Sequence, residues 1–168
     1  AYFEGTGAVL AGFTIMNGGA YGDWTANNGA GICLWSANTS PTLENLIIKE
    51  NTNHGAFGGG ILCYNNNNPI IKNVTIIDNL NEDATGRGGG IACNDNSNPI
   101  LINVTVVGNT AANGGGLVSR SGSNPILINC IFWNNSPDNI YTEGGSGTVT
   151  VTYSDIEGGW TGEGNIAA

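Results

Sequence analysis

Apolar residues along this chain come in short runs of Ile, Leu and Val, each closed by Gly, Asn or Pro, and the runs recur. Pro41, Pro69, Pro99 and Pro125 open four related segments at spacings of 28, 30 and 26 residues, reading PTLENLII, PIIKNVTII, PILINVTVV and PILINCIFW. The first three run on to glycine clusters: Gly58-Gly59-Gly60-Ile61, Gly88-Gly89-Gly90-Ile91 and Gly114-Gly115-Gly116-Leu117. Gly12-Phe13-Thr14-Ile15 and Gly29-Ala30-Gly31-Ile32 form a degenerate earlier copy, and Tyr153-Ser154-Asp155-Ile156 a later one. Self-similarity at this period marks a stacked repeat. No segment shows the three-and-four spacing of an amphipathic helix. Runs rich in Val, Ile and Leu between turn residues predict strands, and the LxxLxLxxN framework of leucine-rich repeats is absent.

Aligned copies test this physically, because residues stacked in parallel coils share one environment. Leu43, Ile71, Leu101 and Leu127 make one apolar row, and Phe13, Leu46, Val74, Val104 and Cys130 a second. Ile15, Ile48, Ile76, Val106, Phe132 and Ile156 make a third, and Ile32, Ile61, Ile91 and Leu117, after the glycines, a fourth. Rows two and three lie two residues apart and share one face of a strand. Rows one and two lie three apart, and the break falls on Asn45, Asn73, Asn103 and Asn129. Asparagine tolerates a left-handed backbone and its amide can bond to the copies above and below, so these four predict an interior ladder at a bend between two sheets. Asn51, Asn79, Asn109 and Asn135 predict a second ladder at the next corner, and the glycine clusters serve the third. The expected fold is all-β: a parallel β-helix, a solenoid of about six coils of 24–30 residues with three short parallel sheets. Residues 1–168 are expected to form a single β-helix domain with coils starting near 8, 41, 69, 99, 125 and 149. Neither end carries a recognisable capping helix, so the chain is expected to be a fragment of a longer protein or a filament subunit associating end to end.

Composition narrows the function. Only 10% of residues are charged, and the formal net charge is −9, with Lys49, Lys72, Arg87 and Arg120 as the fixed cations. Phosphate binding needs clustered bases, which argues against a nucleic-acid partner. No apolar run nears the roughly 20 residues of a membrane-crossing helix, so no membrane insertion is expected. Cys33, Cys63, Cys93 and Cys130 contain no CxxC pair, against zinc and thioredoxin-type readings. Cys63 and Cys93 share a row, with Leu34 below and Ser119 above, and are read as buried free thiols; Cys33, of opposite parity, is expected to point outward.

The copies resemble the right-handed parallel β-helix repeats of the pectate-lyase-like superfamily. They are most similar to bacterial surface proteins that repeat GGGI and FxxN motifs, as in the passenger domains of polymorphic outer-membrane adhesins. The GGGI-like copies are those above; Phe132-Trp133-Asn134-Asn135 matches FxxN, and Ile48 to Asn51, Ile76 to Asn79 and Val106 to Asn109 match with an aliphatic for Phe. The resemblance implies an extracellular or cell-surface location and a structural or adhesive role.

Enzymes of that superfamily use paired aspartates for hydrolysis, or a calcium-binding acidic cluster with a basic residue for lyase chemistry. Here the acids are spread along the coils, and the only dense group is Glu82-Asp83 with Arg87. No catalytic residue is therefore assigned; a polysaccharide lyase or glycoside hydrolase remains the alternative. Trp24, Trp35, Tyr64, Trp133, Tyr141 and Trp160 are candidates for stacking on sugar rings, against the plainer reading that several pad the core. No cofactor is expected, calcium being the one ion left open by Asp78, Glu82, Asp83 and Asp95. His54 reads as a loop residue. The sequons at Asn38, Asn73, Asn103 and Asn134 are discounted as glycosylation sites, since Asn73 and Asn103 belong to the ladder.

Overall fold

The computed structural model describes residues 5, 7–21, 29–144 and 147–166. The first coil holds β1 (Val9–Ala11), β2 (Thr14–Met16), β3 (Gly19–Ala20) and β4 (Ile32–Leu34). The second holds β5 (Thr42–Glu44), β6 (Ile47–Lys49), β7 (Thr52–Asn53) and β8 (Ile61–Tyr64). The third and fourth hold β9 (Ile70–Ile77), β10 (Leu80–Asn81), β11 (Ile91–Asn94), β12 (Ile100–Val107) and β13 (Leu117–Ser119). Then come β14 (Ile126–Ile128), β15 (Ile131–Trp133), β16 (Ile140–Thr142), β17 (Thr150–Thr152) and β18 (Asp155–Ile156). Among the described residues there is no helix.

All pairing is parallel and falls into three sheets, which makes the molecule a parallel β-solenoid. Sheet 1 runs β1-β5-β9-β12-β14-β17, continued beyond the asparagine bend by β2, β6, β15 and β18. Sheet 2 runs β4-β8-β11-β13-β16, and sheet 3 is β3-β7-β10. Sheet 2 has five strands, hence about four turns from first to last, where six coils were expected. Among the described residues, the copy opening near residue 149 supplies β17 and β18 to sheet 1 and no strand to sheet 2.

The predicted rows are the observed register. Leu43, Ile71, Leu101 and Leu127 are successive partners, as are Ile48, Ile76, Val106 and Phe132, and all eight are fully buried. Phe13 is the exception in its row: it lies on the outer side of the first described coil and is 60% exposed. The glycines let coils approach closely. A Cβ on Gly90 would sit 2.6 Å from the Gly116 carbonyl oxygen, closer than side-chain carbons come to oxygen, and Gly88 has φ 72°.

Asn45, Asn73, Asn103 and Asn129 all have φ of 53–55°, and the amides of the last three each donate to the side-chain oxygen of the copy before, Asn103 to Asn73 at 3.1 Å. These side chains are exposed, so the ladder lies outside the solenoid and not in its interior. Accessibility therefore gives no ground for discounting the Asn73 and Asn103 sequons. Asn51, Asn79, Asn109 and Asn135 form the buried ladder: the Asn79 amide donates to Asn109 Oδ1 at 2.9 Å and that of Asn109 to Asn135 Oδ1 at 3.0 Å. A further buried polar column, Asn67, Ser97 and Ser123, stands two residues before Pro69, Pro99 and Pro125; Ser97 and Ser123 each accept a backbone N–H from the copy before, and Asn67 accepts the Thr39 hydroxyl. Its polar side chains do not stand out among the surrounding turn residues of the sequence.

Cys63 and Cys93 are in-register partners in the core, and all four cysteines are buried. Hydrogen bonding to Cys63 and burial hold the Cys93 thiol well above the usual range, and burial raises that of Cys130 to about 11. Cys33 does point away from the main core but is not exposed. It lies in a second apolar cluster with Phe57, Leu62, Ala92 and Val118 on the outer face of sheet 2.

Candidate functional site

That outer cluster is the floor of the site. Along each strand of sheet 2 the residue after the fourth apolar row faces outward, giving the column Cys33, Leu62, Ala92, Val118 and Tyr141. Two residues further on, the pleat turns another column outward: Trp35, Tyr64, Asn94, Arg120 and Glu143. The segment between β7 and β8 folds back over the floor and buries Phe57 against it. Between these walls lies a groove of about 440 Å³, lined by Trp35, Phe57, Tyr64, Asn94, Asp95, Arg120 and Ser121. That volume is within the roughly 300–1,000 Å³ of small-molecule sites.

The two ends of the groove differ. Trp35 stacks on Tyr64 with ring centroids 4.3 Å apart and planes 15° from parallel, which the roughly 4.8 Å spacing of parallel strands imposes on aromatics in one column. The other end is closed by Arg120, and just outside the groove lining Arg87 donates from Nε and Nη2 to the two Glu143 oxygens at 2.7 and 2.9 Å. Arg120 Nε lies 3.0 Å from Glu143 Oε2, and its guanidinium stands 5.1 Å from the Phe57 ring centre. The Arg87 hydrogen bond holds the Glu143 carboxyl below its ordinary pKa, and Glu143 raises that of Arg87.

Of the six aromatic candidates, Trp35 and Tyr64 line this groove. Tyr141 packs half-buried against the floor cluster. Trp133 is 40% exposed but lies on β15 in sheet 1, and Trp160 packs against the main core as padding. Trp24 lies outside the described residues. The sequence reading missed Phe57, Asn94, Arg120, Ser121 and Glu143. The signal was present: Trp35, Tyr64, Asn94, Arg120 and Glu143 each follow by three residues the inward row Ile32, Ile61, Ile91, Leu117 and Ile140.

The structure disperses the acidic loop. Glu82 lies 2.9 Å from His54 Nδ1, and His54 stacks on Tyr21 at 4.2 Å. Asp83 accepts from the Thr85 hydroxyl and backbone N–H at 2.7 and 2.8 Å, which lowers its pKa, and Arg87 turns to Glu143. Asp78 sits at the exposed turn after β9, and Asp95 at the groove. The four calcium candidates thus occupy separate places, and among the described residues no three His, Cys, Asp or Glu groups converge on a common point.

No curated protein and no solved structure matches the chain. A family model described as a right-handed β-helix region matches residues 4–119, more than half of the sequence. With the parallel register of all three sheets, this places the chain in the right-handed β-helix family.

Proposed function

We propose that this β-helix is a non-catalytic scaffold working outside the cell, at a bacterial surface or in secreted form, and that it adheres to glycans through the groove on sheet 2. The observation that carries the reading is the stacked Trp35–Tyr64 pair beside Asn94, Asp95, Arg120 and Ser121. A pyranose ring offers an apolar C–H face to aromatic rings and hydroxyls to polar groups around them, which is the division this groove presents. The non-catalytic part rests on the acids. General acid catalysis needs a carboxyl titrating near the working pH, and Glu143 is shifted the other way by Arg87.

Electrophoresis of the purified chain through gels containing soluble polysaccharides tests both parts. Retardation is expected in at least one gel, and Trp35→Ala should weaken that affinity about tenfold, matching a loss of roughly 1.4 kcal/mol of stacking. Retardation in none of a broad set of gels removes the glycan reading. Release of reducing ends or unsaturated uronides removes the non-catalytic one and makes the groove an active site.

A further inference from the structure

The polar end of the groove carries a second signal. Asn94 is 7% exposed, and its Oδ1 is buried with no hydrogen-bond partner among the described residues. Buried side-chain amide oxygens are nearly always satisfied, because an orphan keeps the full cost of its desolvation. The column neighbours of Asn94 are engaged elsewhere, Tyr64 in the stack with Trp35 and Arg120 with Glu143 and Phe57. The amide lines the groove between the aromatic and the charged end.

Charge at the groove and beside it is balanced. Arg87 and Arg120 face Glu143, and Asp95 supplies a second negative charge, within a chain of net charge −9. A carboxylated sugar entering here would lose hydration and find both guanidinium groups already paired. An uncharged sugar escapes that cost.

Resting on the glycan reading above, we infer that the groove selects uncharged sugars over uronates, and that Asn94 anchors the bound sugar by accepting a hydrogen bond from one of its hydroxyls. The ring of that sugar lies with its C–H face toward Trp35 and Tyr64, and a small turn of the Asn94 amide brings its unpaired Oδ1 from its buried position to one hydroxyl. A site built around a hydroxyl discriminates strongly against ligands that leave its buried polar group unpaired.

The test is an array of neutral tetrasaccharides (β-glucan, mannan, xylan and galactan) beside uronate tetrasaccharides (galacturonate, mannuronate and hyaluronan), probed with the native chain. Binding to at least one neutral probe is expected, about tenfold or more tighter than to any uronate. Asn94→Ala, checked for native circular dichroism, should lose about tenfold on that probe, and Trp35→Ala should weaken every bound probe. Uronates bound as tightly as neutral probes in a Trp35-dependent way overturn this inference and leave the glycan reading standing. No binding to any probe overturns both. A folded Asn94→Ala that binds as well as the native chain removes Asn94 from the role, and the neutral-over-uronate preference is measured on the native chain whether or not the variant folds.

Discussion

Asn103 and Asn109 belong to the same coil and both hydrogen-bond to the copies before and after them, yet one is exposed and the other is fully buried. The Asn109 amide donates to Ile76 O, Val107 O and Asn135 Oδ1 at 3.0–3.1 Å, while its Oδ1 accepts the backbone and side-chain N–H of Asn79. Truncating it strands several buried groups at once. Asn109→Ala should therefore cost about 3–5 kcal/mol, by analogy with other broken buried networks. Asn103→Ala loses two bonds that water can replace and keeps a left-handed residue, costing about 1–2 kcal/mol. Urea denaturation of the two variants gives the comparison, and equal losses would refute the distinction between the ladders. Stacking of both sets was legible in the sequence, because equal spacing in every copy can only place like residues in one column. The side on which the first set lies needed one more step. Between the inward residues Leu43 and Leu46 stand Glu44 and Asn45, and a bend that turns both flanking rows inward leaves its own two residues outside.

The strands of sheet 2 turn one column of side chains into two unlike halves, and Glu143 ties the second half together. It joins Arg87, from the segment before β11, to Arg120 at the end of β13. Its folded pKa is depressed below the ordinary 4.5. A carboxylate of this kind adds stability above its unfolded pKa, and that contribution is lost as pH falls through the lower folded value. With a side chain 28% exposed, the effect is moderated by solvent. Thermal midpoints stepped down from pH 7 should fall more below pH 4.5 for the native chain than for Glu143→Gln; Asp83, also depressed, is present in both and cancels. Parallel curves would show that Glu143 adds nothing. Half of this site could be read from the chain. The aromatic pair stood out by residue type, whereas Asn94, Arg120 and Glu143 are ordinary surface residues until the register puts them in the same column. Phe57 was less legible still, since its place over the floor depends on how the segment after β7 folds back. Trp160 has the same chemistry as Trp35 and was indistinguishable from it before packing was known.

The backbone of each coil pairs only with the coils beside it, and apart from the side-chain contacts Arg87–Glu143 and Arg120–Phe57, which reach two coils away, stability is close to a sum of coil and neighbour terms. The columns make neighbouring coils interchangeable at their contacts. Leu43 and Leu101 both pair with Ile71, and Asn51 and Asn109 both bond to Asn79. Deleting residues 70–99 joins Pro69 to Ile100, the same Pro-Ile junction that Pro99 makes in the intact chain. β5 would then pair with β12, Ile61 would stack on Leu117, and Asn51 would donate to Asn109. The shortened chain should keep a cooperative β-type circular dichroism transition, with a midpoint lower by about 5–10 °C for the lost coil and its one net interface. The groove should not survive. The deletion removes Arg87, Ala92 and Asn94, bringing Leu62 against Val118 and Tyr64 against Arg120, so any polysaccharide retarding the native chain should no longer retard this one. Loss of cooperative unfolding would mean that the coils are not exchangeable units. A folded deletion chain that still bound sugar would move the site off this part of sheet 2.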